Sequence, residues 1–216
     1  MIAMILAAGR GERLRPITDT TPKALMKVRG KRLLDRHLDT VKAAGVDTVV
    51  INLGWLGEQI ADHVGSGARH GLSVVYSPEG EDILETGGGI HRALPMLGNA
   101  AFLVINADVY TDMRLPTALD DDADGHLVLV PKPAHKECGD FELVGGRIAN
   151  SETPALTFSG IALYRPEFFA DCTPGRFSIV PMLRRAADAG RLTGSVYEGT
   201  WEDVGTVERL EELNRR

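Results

Sequence analysis

The stretch Met1–Leu25, MIAMILAAGRGERLRPITDTTPKAL, constrains this chain more than any other. It opens with an apolar run, Ile2–Ala8, of the length and composition of a buried strand. Gly9 and Gly11 follow, with Arg10, Arg13 and Arg15 interleaved, and then Pro16, Pro22 and Lys23. A buried strand that breaks into a glycine-rich, basic loop suits an anion. The glycines let backbone N–H groups approach it closely, and the cations neutralise it. A glycine pair alone would fit a tight strand–helix turn. The added arginines and the proline–lysine pair favour phosphate. The loop is not a Walker A motif, because no G-x-x-x-x-G-K-[ST] occurs and Lys23 stands twelve residues past Gly11. It lacks the third glycine of a dinucleotide fingerprint.

Composition narrows the partners. A chain of 216 residues suits one domain over 1–216, with a core that needs no staples. The formal charge of −6 does not favour nucleic acid, so the basic opening loop is a local feature suited to a small polyanion. Cys138 and Cys172 stand far apart, form no metal-ligand pattern and read as free thiols. The first apolar run is too short for a signal peptide, and no run approaches the ~20 residues that span a bilayer. The expectation is a cytoplasmic protein with no membrane partner.

Further along, Lys31–Ala44 reads as an amphipathic helix with Leu33, Leu34, Leu38 and Val41 on one face and Gly45 after its end. Val46–Asn52 reads as a strand, Leu56–Val64 as a helix and Leu72–Tyr76 as a third strand. This alternation predicts a mainly parallel sheet covered by helices, with ligands beyond the carboxyl ends of the strands. Ser77–Gly89, SPEGEDILETGGG, reads as a loop whose three glycines lie flat against a ligand, with a helix over Ile90–Leu97. Ala101–Asn106 is a strand ending in Asn106-Ala107-Asp108, which holds a carboxylate rigidly at its tip. His126–Val130 is another strand, Phe141–Ile148 a hairpin turning at Gly145-Gly146, and Leu156–Tyr164 a long strand. Phe177–Ala189 is a helix and Thr193–Tyr197 a last strand. Thr206 is placed to cap the closing helix. Asp112 and Asp120–Asp124 read as solvated acids. The six histidines form no H-x-x-x-H or triad pattern, and no chemistry is assigned to them.

The run Leu6-Ala7-Ala8-Gly9-Arg10-Gly11-Glu12-Arg13-Leu14-Arg15-Pro16, followed by Pro22-Lys23-Ala24-Leu25, resembles the signature of the sugar-1-phosphate nucleotidylyltransferases. In words that signature is L-A-[AG]-G-x-G-x-R-[LM]-x-P, then P-K-x-L. The resemblance implies an α/β, three-layer Rossmann-like fold, with a mostly parallel mixed sheet between helices and a small β-hairpin lobe. It implies a nucleoside triphosphate and a sugar-1-phosphate as substrates and Mg²⁺ as cofactor. Leu6, Ala7, Ala8, Gly9, Arg10 and Gly11 would then bind the nucleotide phosphates, and Glu79, Thr86 and Gly87 the base and ribose. Arg13 would serve the leaving phosphates and Lys23 the α-phosphate. Asp108 and Asp203, the latter in Trp201-Glu202-Asp203-Val204-Gly205-Thr206, would hold the metal.

Asn106, Asp140, Ser159 and Gly160 would contact the sugar. The Glu-Lys-Pro whose lysine reaches the sugar phosphate in many relatives is absent, and Gly139-Asp140-Phe141 stands in its neighbourhood. Leu84–Gly89, L-E-T-G-G-G, together with Gly-Asp-Phe, is similar to the branch that takes UTP and N-acetylmuramate α-1-phosphate in peptidoglycan recycling. Lys136 and Arg147 are candidates for the acceptor carboxylate. Another sugar-1-phosphate, phosphocholine as acceptor, or a nucleotide-sensing pseudoenzyme are the alternatives.

Overall fold

The computed structural model describes residues 1–80 and 83–215. Its elements in chain order begin with β1 (Ile2–Leu6), a small hairpin of β2 (Lys27–Val28) and β3 (Lys31–Arg32), and α1 (Leu33–Ala43). Then come β4 (Thr48–Leu53), α2 (Gly57–Val64), β5 (Ser73–Pro78), α3 (Glu85–Leu97), β6 (Phe102–Asn106) and β7 (Val109–Thr111). The chain continues through β8 (Gly125–Pro131), β9 (Glu142–Val144), β10 (Arg147–Ala149) and β11 (Leu156–Tyr164). It closes with α4 (Val180–Asp188), β12 (Leu192–Val196), β13 (Trp201–Asp203) and α5 (Val207–Arg215).

The main sheet runs β5-β4-β1-β6-β11-β8-β12-β10-β9. Its first four strands are parallel, β11 is antiparallel to both neighbours, and β8 and β12 are again parallel. The hairpin β9–β10 turns at Gly145 and Gly146, both at positive φ, and extends the sheet edge through β12. In the parallel half, alternate side chains divide between two cores, as the two-residue period of a strand requires. Ala3, Ile5, Val49, Ile51, Leu103 and Ile105 meet Leu34, Leu38 and Val41 of α1 and Ile60 and Val64 of α2. Met4, Val50, Phe102 and Val104 meet α3 and α4 through Ile90, Ala93, Leu97, Leu183 and Ala186. Each large apolar side chain so buried stabilises the fold by about 1.5–3 kcal/mol. Three layers result.

Three expectations are corrected. Gly87, Gly88 and Gly89 lie inside α3, not in a loop. A Cβ at Gly87 would stand 2.5 Å from the Phe177 ring, one at Gly88 2.2 Å from the Gly175 carbonyl, and one at Gly89 2.6 Å from Glu79 Oε1. The glycines permit a helix to press against backbone and a buried acid, and that contact outweighs their poor helix propensity. Residues 81–82 of the expected loop lie outside the described residues. Secondly, Thr193–Tyr197 is not the last strand. Trp201–Asp203 forms β13, which pairs antiparallel with β7 in a separate ribbon. Thirdly, helix α1 begins at Leu33, after Lys31 and Arg32 have paired back on β2.

Candidate active site

The parallel strands β1, β4, β5 and β6 deliver their carboxyl ends to one cavity of about 660 Å³. Residues 6–13, Lys23, Asn52, Glu79, Thr86, Asn106, Asp108 and Gly205 line it. The opening loop is held from below. Asn52 Oδ1 accepts from the Ala7 N–H at 2.6 Å, and Asn52 Nδ2 donates to Glu79 Oε1 at 2.6 Å. Glu79 Oε2 accepts the Leu84 N–H at 3.1 Å, which fixes the start of α3. Glu79 is therefore a buried acid, 6% exposed, that also forms cavity wall. The Trp55 N–H donates to the Ala8 carbonyl, and Arg10 stacks over the Trp55 ring at 5.4 Å.

The two loop glycines differ. Gly11 has φ +63° and a Cβ there would stand 2.8 Å from Thr18 Cγ2, so the fold itself requires it. Gly9 has no atom within 4 Å of an added Cβ. Packing does not explain its missing side chain, and the position leaves the loop backbone open toward the cavity.

Leu14 and Ala24 are buried anchors, and they place Arg13 and Lys23 at the rim. Lys23 Nζ donates to Asp108 Oδ2 at 2.5 Å. Asp108 follows β6 and precedes β7, whose partner β13 ends in Asp203 opposite Val109. The Val204 N–H donates to the Asp108 carbonyl at 2.9 Å, so residues almost a hundred apart stand side by side. Arg209 Nη1 donates to both Asp203 oxygens at 2.7 Å. A Cβ at Gly205 would lie 2.9 Å from Arg209 Nη1 and 3.0 Å from Asp203 Oδ2, so glycine makes room for that ion pair; Gly205 lines the cavity and Asp203 stands behind it, outside the lining. The carboxylates of Asp108 and Asp203 are 33% and 27% exposed. Among the described residues no group of three or more His, Cys, Asp or Glu could hold a metal ion alone. Two oxygen-donor acids that leave most of the shell to phosphate and water fit Mg²⁺.

The expected sugar residues are less well gathered. Asn106 lines the cavity, and a Cβ at Gly160 would stand 2.6 Å from Asn106 Nδ2, where β11 bulges at φ +80°. Ser159 is buried inside that bulge, where its carbonyl accepts from Trp201 Nε1 and its Oγ accepts from the Ile161 N–H. Asp140 lies outside the cavity, paired with Lys136 at 3.0 Å and accepting the Phe158 N–H. Gly87 packs on Phe177 and does not line the cavity, whereas Thr86 does. Arg147 is turned to Asp122 and the Gly190 carbonyl, on the distant edge of the sheet.

Several site residues escaped the sequence reading. Asn52 and Arg209 carry no motif. Arg176 Nε donates to Glu85 Oε1 at 2.8 Å, and both line the cavity mouth. Glu85 holds φ +60°, a conformation costly for any residue but glycine. His37 is buried beneath Asp108, and desolvation pushes its pKa down to about 4, against the Asp108 charge and the backbone of Ala107 and Val109. Thr206 does cap α5, accepting the Arg209 N–H at 3.4 Å.

Phosphate loop, cavity and paired acids at the end of a parallel half-sheet define a nucleotide-handling transferase. The family model for nucleotidyl transferases matches residues 2–139, and the chain belongs to that family. It is 47% identical to N-acetylmuramate alpha-1-phosphate uridylyltransferase of Neisseria meningitidis serogroup B, over 98% of this chain and 96% of that one. It is 36% identical to the protein of the same name from Caulobacter vibrioides, over 94% and 91% of the two chains. A solved structure from Bacillus anthracis, assigned as a glucose-1-phosphate thymidylyltransferase, superposes with a TM-score of 0.85 over 100% of this chain and 94% of that one, at 22% identity. That likeness concerns the fold. Among the described residues no helix is long and apolar enough to cross a membrane.

Proposed function

We propose that this chain transfers UMP from UTP to N-acetylmuramate α-1-phosphate, giving UDP-N-acetylmuramate and pyrophosphate, as one cytoplasmic domain serving peptidoglycan recycling. The chemistry rests on the Lys23–Asp108 pair at one end of the loop-lined cavity, with Asp203 brought next to Asp108 along the chain by the β7–β13 ribbon. The acceptor rests on the name and near full-length similarity of the Neisseria relative.

A phosphate oxygen of the acceptor attacks the α-phosphorus of UTP, the bond from that phosphorus to the α,β-bridging oxygen breaks, and pyrophosphate leaves with that oxygen. The nucleophile is already an anion, so no general base is required. Repulsion between anions and charge on the leaving group form the barrier, and positioning and electrostatics lower it. The backbone from Ala8 to Gly11 binds and orients the triphosphate. Arg13 offers a planar fork to the leaving oxygens, and Lys23 a compact charge at the α-phosphate. Asp108 and Asp203 would hold Mg²⁺, which when bound neutralises phosphate charge. Asn52 holds Glu79 in place at the base end of the cavity.

The test is pyrophosphate release across four nucleoside triphosphates and N-acetylmuramate-1-phosphate, N-acetylglucosamine-1-phosphate and glucose-1-phosphate. The highest kcat/KM is expected for UTP with the muramate. Preference for another sugar would overturn the acceptor, and no release with any pair would overturn the transfer.

A further inference from the structure

We propose that His135 binds the phosphate of the acceptor sugar-1-phosphate. This rests on the transfer reading above and extends it to a residue outside every motif. In that reaction two anions meet. The opening loop serves the triphosphate, so the acceptor phosphate needs a donor of its own. The nearby cations there are already engaged. Arg209 holds Asp203, Lys136 Nζ holds Asp140, and Lys132 Nζ donates to the Lys136 carbonyl at 2.8 Å.

His135 stands apart. Its Nε2 lies 3.6 Å from Asp203 Oδ1, beyond hydrogen-bond length, and the side chain is 35% exposed. Among the described residues no hydrogen bond holds the ring. A part-exposed donor beside Asp203, with no hydrogen bond of its own among those residues, is able to turn to a phosphate oxygen.

The placement is built by the chain. Residues 132–140 form a loop between β8 and β9 that is tied along the start of β11. The Lys132 N–H donates to the Ala155 carbonyl at 3.0 Å, the Gly139 N–H to the Pro154 carbonyl at 2.9 Å, and the Asp140 N–H to the Leu156 carbonyl at 2.6 Å. A Cβ at Gly139 would stand 2.4 Å from the Leu156 carbonyl oxygen, so glycine permits the close tie. Within the loop the Lys136 N–H donates to the Pro133 carbonyl, a turn that presents His135 toward Asp203.

The experiment compares the full chain with His135→Ala and His135→Gln. The KM for N-acetylmuramate α-1-phosphate should rise by about 10- to 100-fold in His135→Ala, the scale of one lost charge-assisted hydrogen bond. The KM for UTP should stay within about twofold. His135→Gln keeps an N–H donor and should recover part of the loss. Calorimetric titration of the same sugar phosphate onto protein loaded with a non-hydrolysable UTP analogue should show the same order, independent of turnover. An unchanged acceptor KM in both variants, or equal rises for both substrates, would overturn the proposal. Should the alanine variant not fold, the glutamine variant decides by the same two numbers. A wild type active on sugar phosphates beside variants with normal acceptor binding sinks His135 alone. A wild type inert with every sugar phosphate sinks the transfer reading as well.

Discussion

Lys23 Nζ stands 2.5 Å from Asp108 Oδ2, which ties the Pro-Lys turn to the acid at the tip of β6. The lysine side chain is 15% exposed and the aspartate 33%, so the pair sits half-sheltered at the cavity. A phosphate entering there would compete for the ammonium group, and the aspartate would be released for a cation. Lys23→Ala is expected to lower kcat by roughly 10²–10³, the scale of one preorganised donor, with a smaller change in UTP affinity. Steady-state kinetics with saturating acceptor decide it, and a normal kcat would remove Lys23 from the mechanism.

Gly9 and Gly88 should respond oppositely to the same methyl group. Gly9 has open space, so Gly9→Ala should leave the melting temperature within about 1 °C of wild type while raising the KM for UTP severalfold. Gly88→Ala drives a Cβ to 2.2 Å from a carbonyl oxygen and should cost about 2–3 kcal/mol, or roughly 5–10 °C of melting temperature. Calorimetric melting beside UTP kinetics separates the two. A destabilised Gly9→Ala would show that packing, not ligand, keeps that glycine.

What the sequence disclosed divides along physical lines. The parallel half was legible because β1, β4 and β6 are apolar runs whose burial needs no partner to be guessed. Arg13, Lys23 and Asp108 line the cavity, and a spaced signature singles them out in the sequence; Asp203 carries the same kind of signature and stands outside that lining. The triple glycine was misread because its cause lies in Gly175 and Phe177, far along the chain, and in the buried Glu79. The strand at Trp201–Asp203 was missed because three residues show no period, and pairing with β7 alone makes it a strand. His37 and His135 were passed over since isolated histidines form no pattern in a line of letters. Their meaning appears only when folding sets one under Asp108 and the other beside Asp203.

His37 makes stability depend on pH. Its pKa falls from 6.5 to about 4 in the fold, chiefly by desolvation. The unfolded chain therefore takes up a proton that the folded chain refuses. The associated stability is complete above about pH 6.5 and is lost as pH falls toward 4, by about 3 kcal/mol in all. Urea unfolding of wild type and His37→Leu from pH 7.5 to 4 measures the difference. The leucine variant also removes an Nε2 that is buried without a hydrogen-bond partner among the described residues. Its stability should fall less steeply with acid. Parallel curves would show that His37 is protonated as readily in the fold as out of it.

The paired acids predict that metal and nucleotide bind together. Asp108 is occupied by Lys23 and Asp203 by both donor contacts of Arg209, so each carboxylate is neutralised before any ion arrives. A divalent cation must displace these partners, and two carboxylates alone repay that poorly. With UTP present, phosphate oxygens would supply the ligands that the two acids lack, and the phosphate charge would compete for Lys23. Manganese, titrated by its paramagnetic resonance as a stand-in for Mg²⁺, should bind weakly to the protein alone and at least tenfold more tightly beside a non-hydrolysable UTP analogue. Asp203→Asn should abolish that gain while leaving the melting temperature of the metal-free protein within a few degrees, since Arg209 keeps a neutral acceptor. Equal manganese affinity in the wild type and Asp203→Asn, both with the analogue, would exclude Asp203 as a ligand.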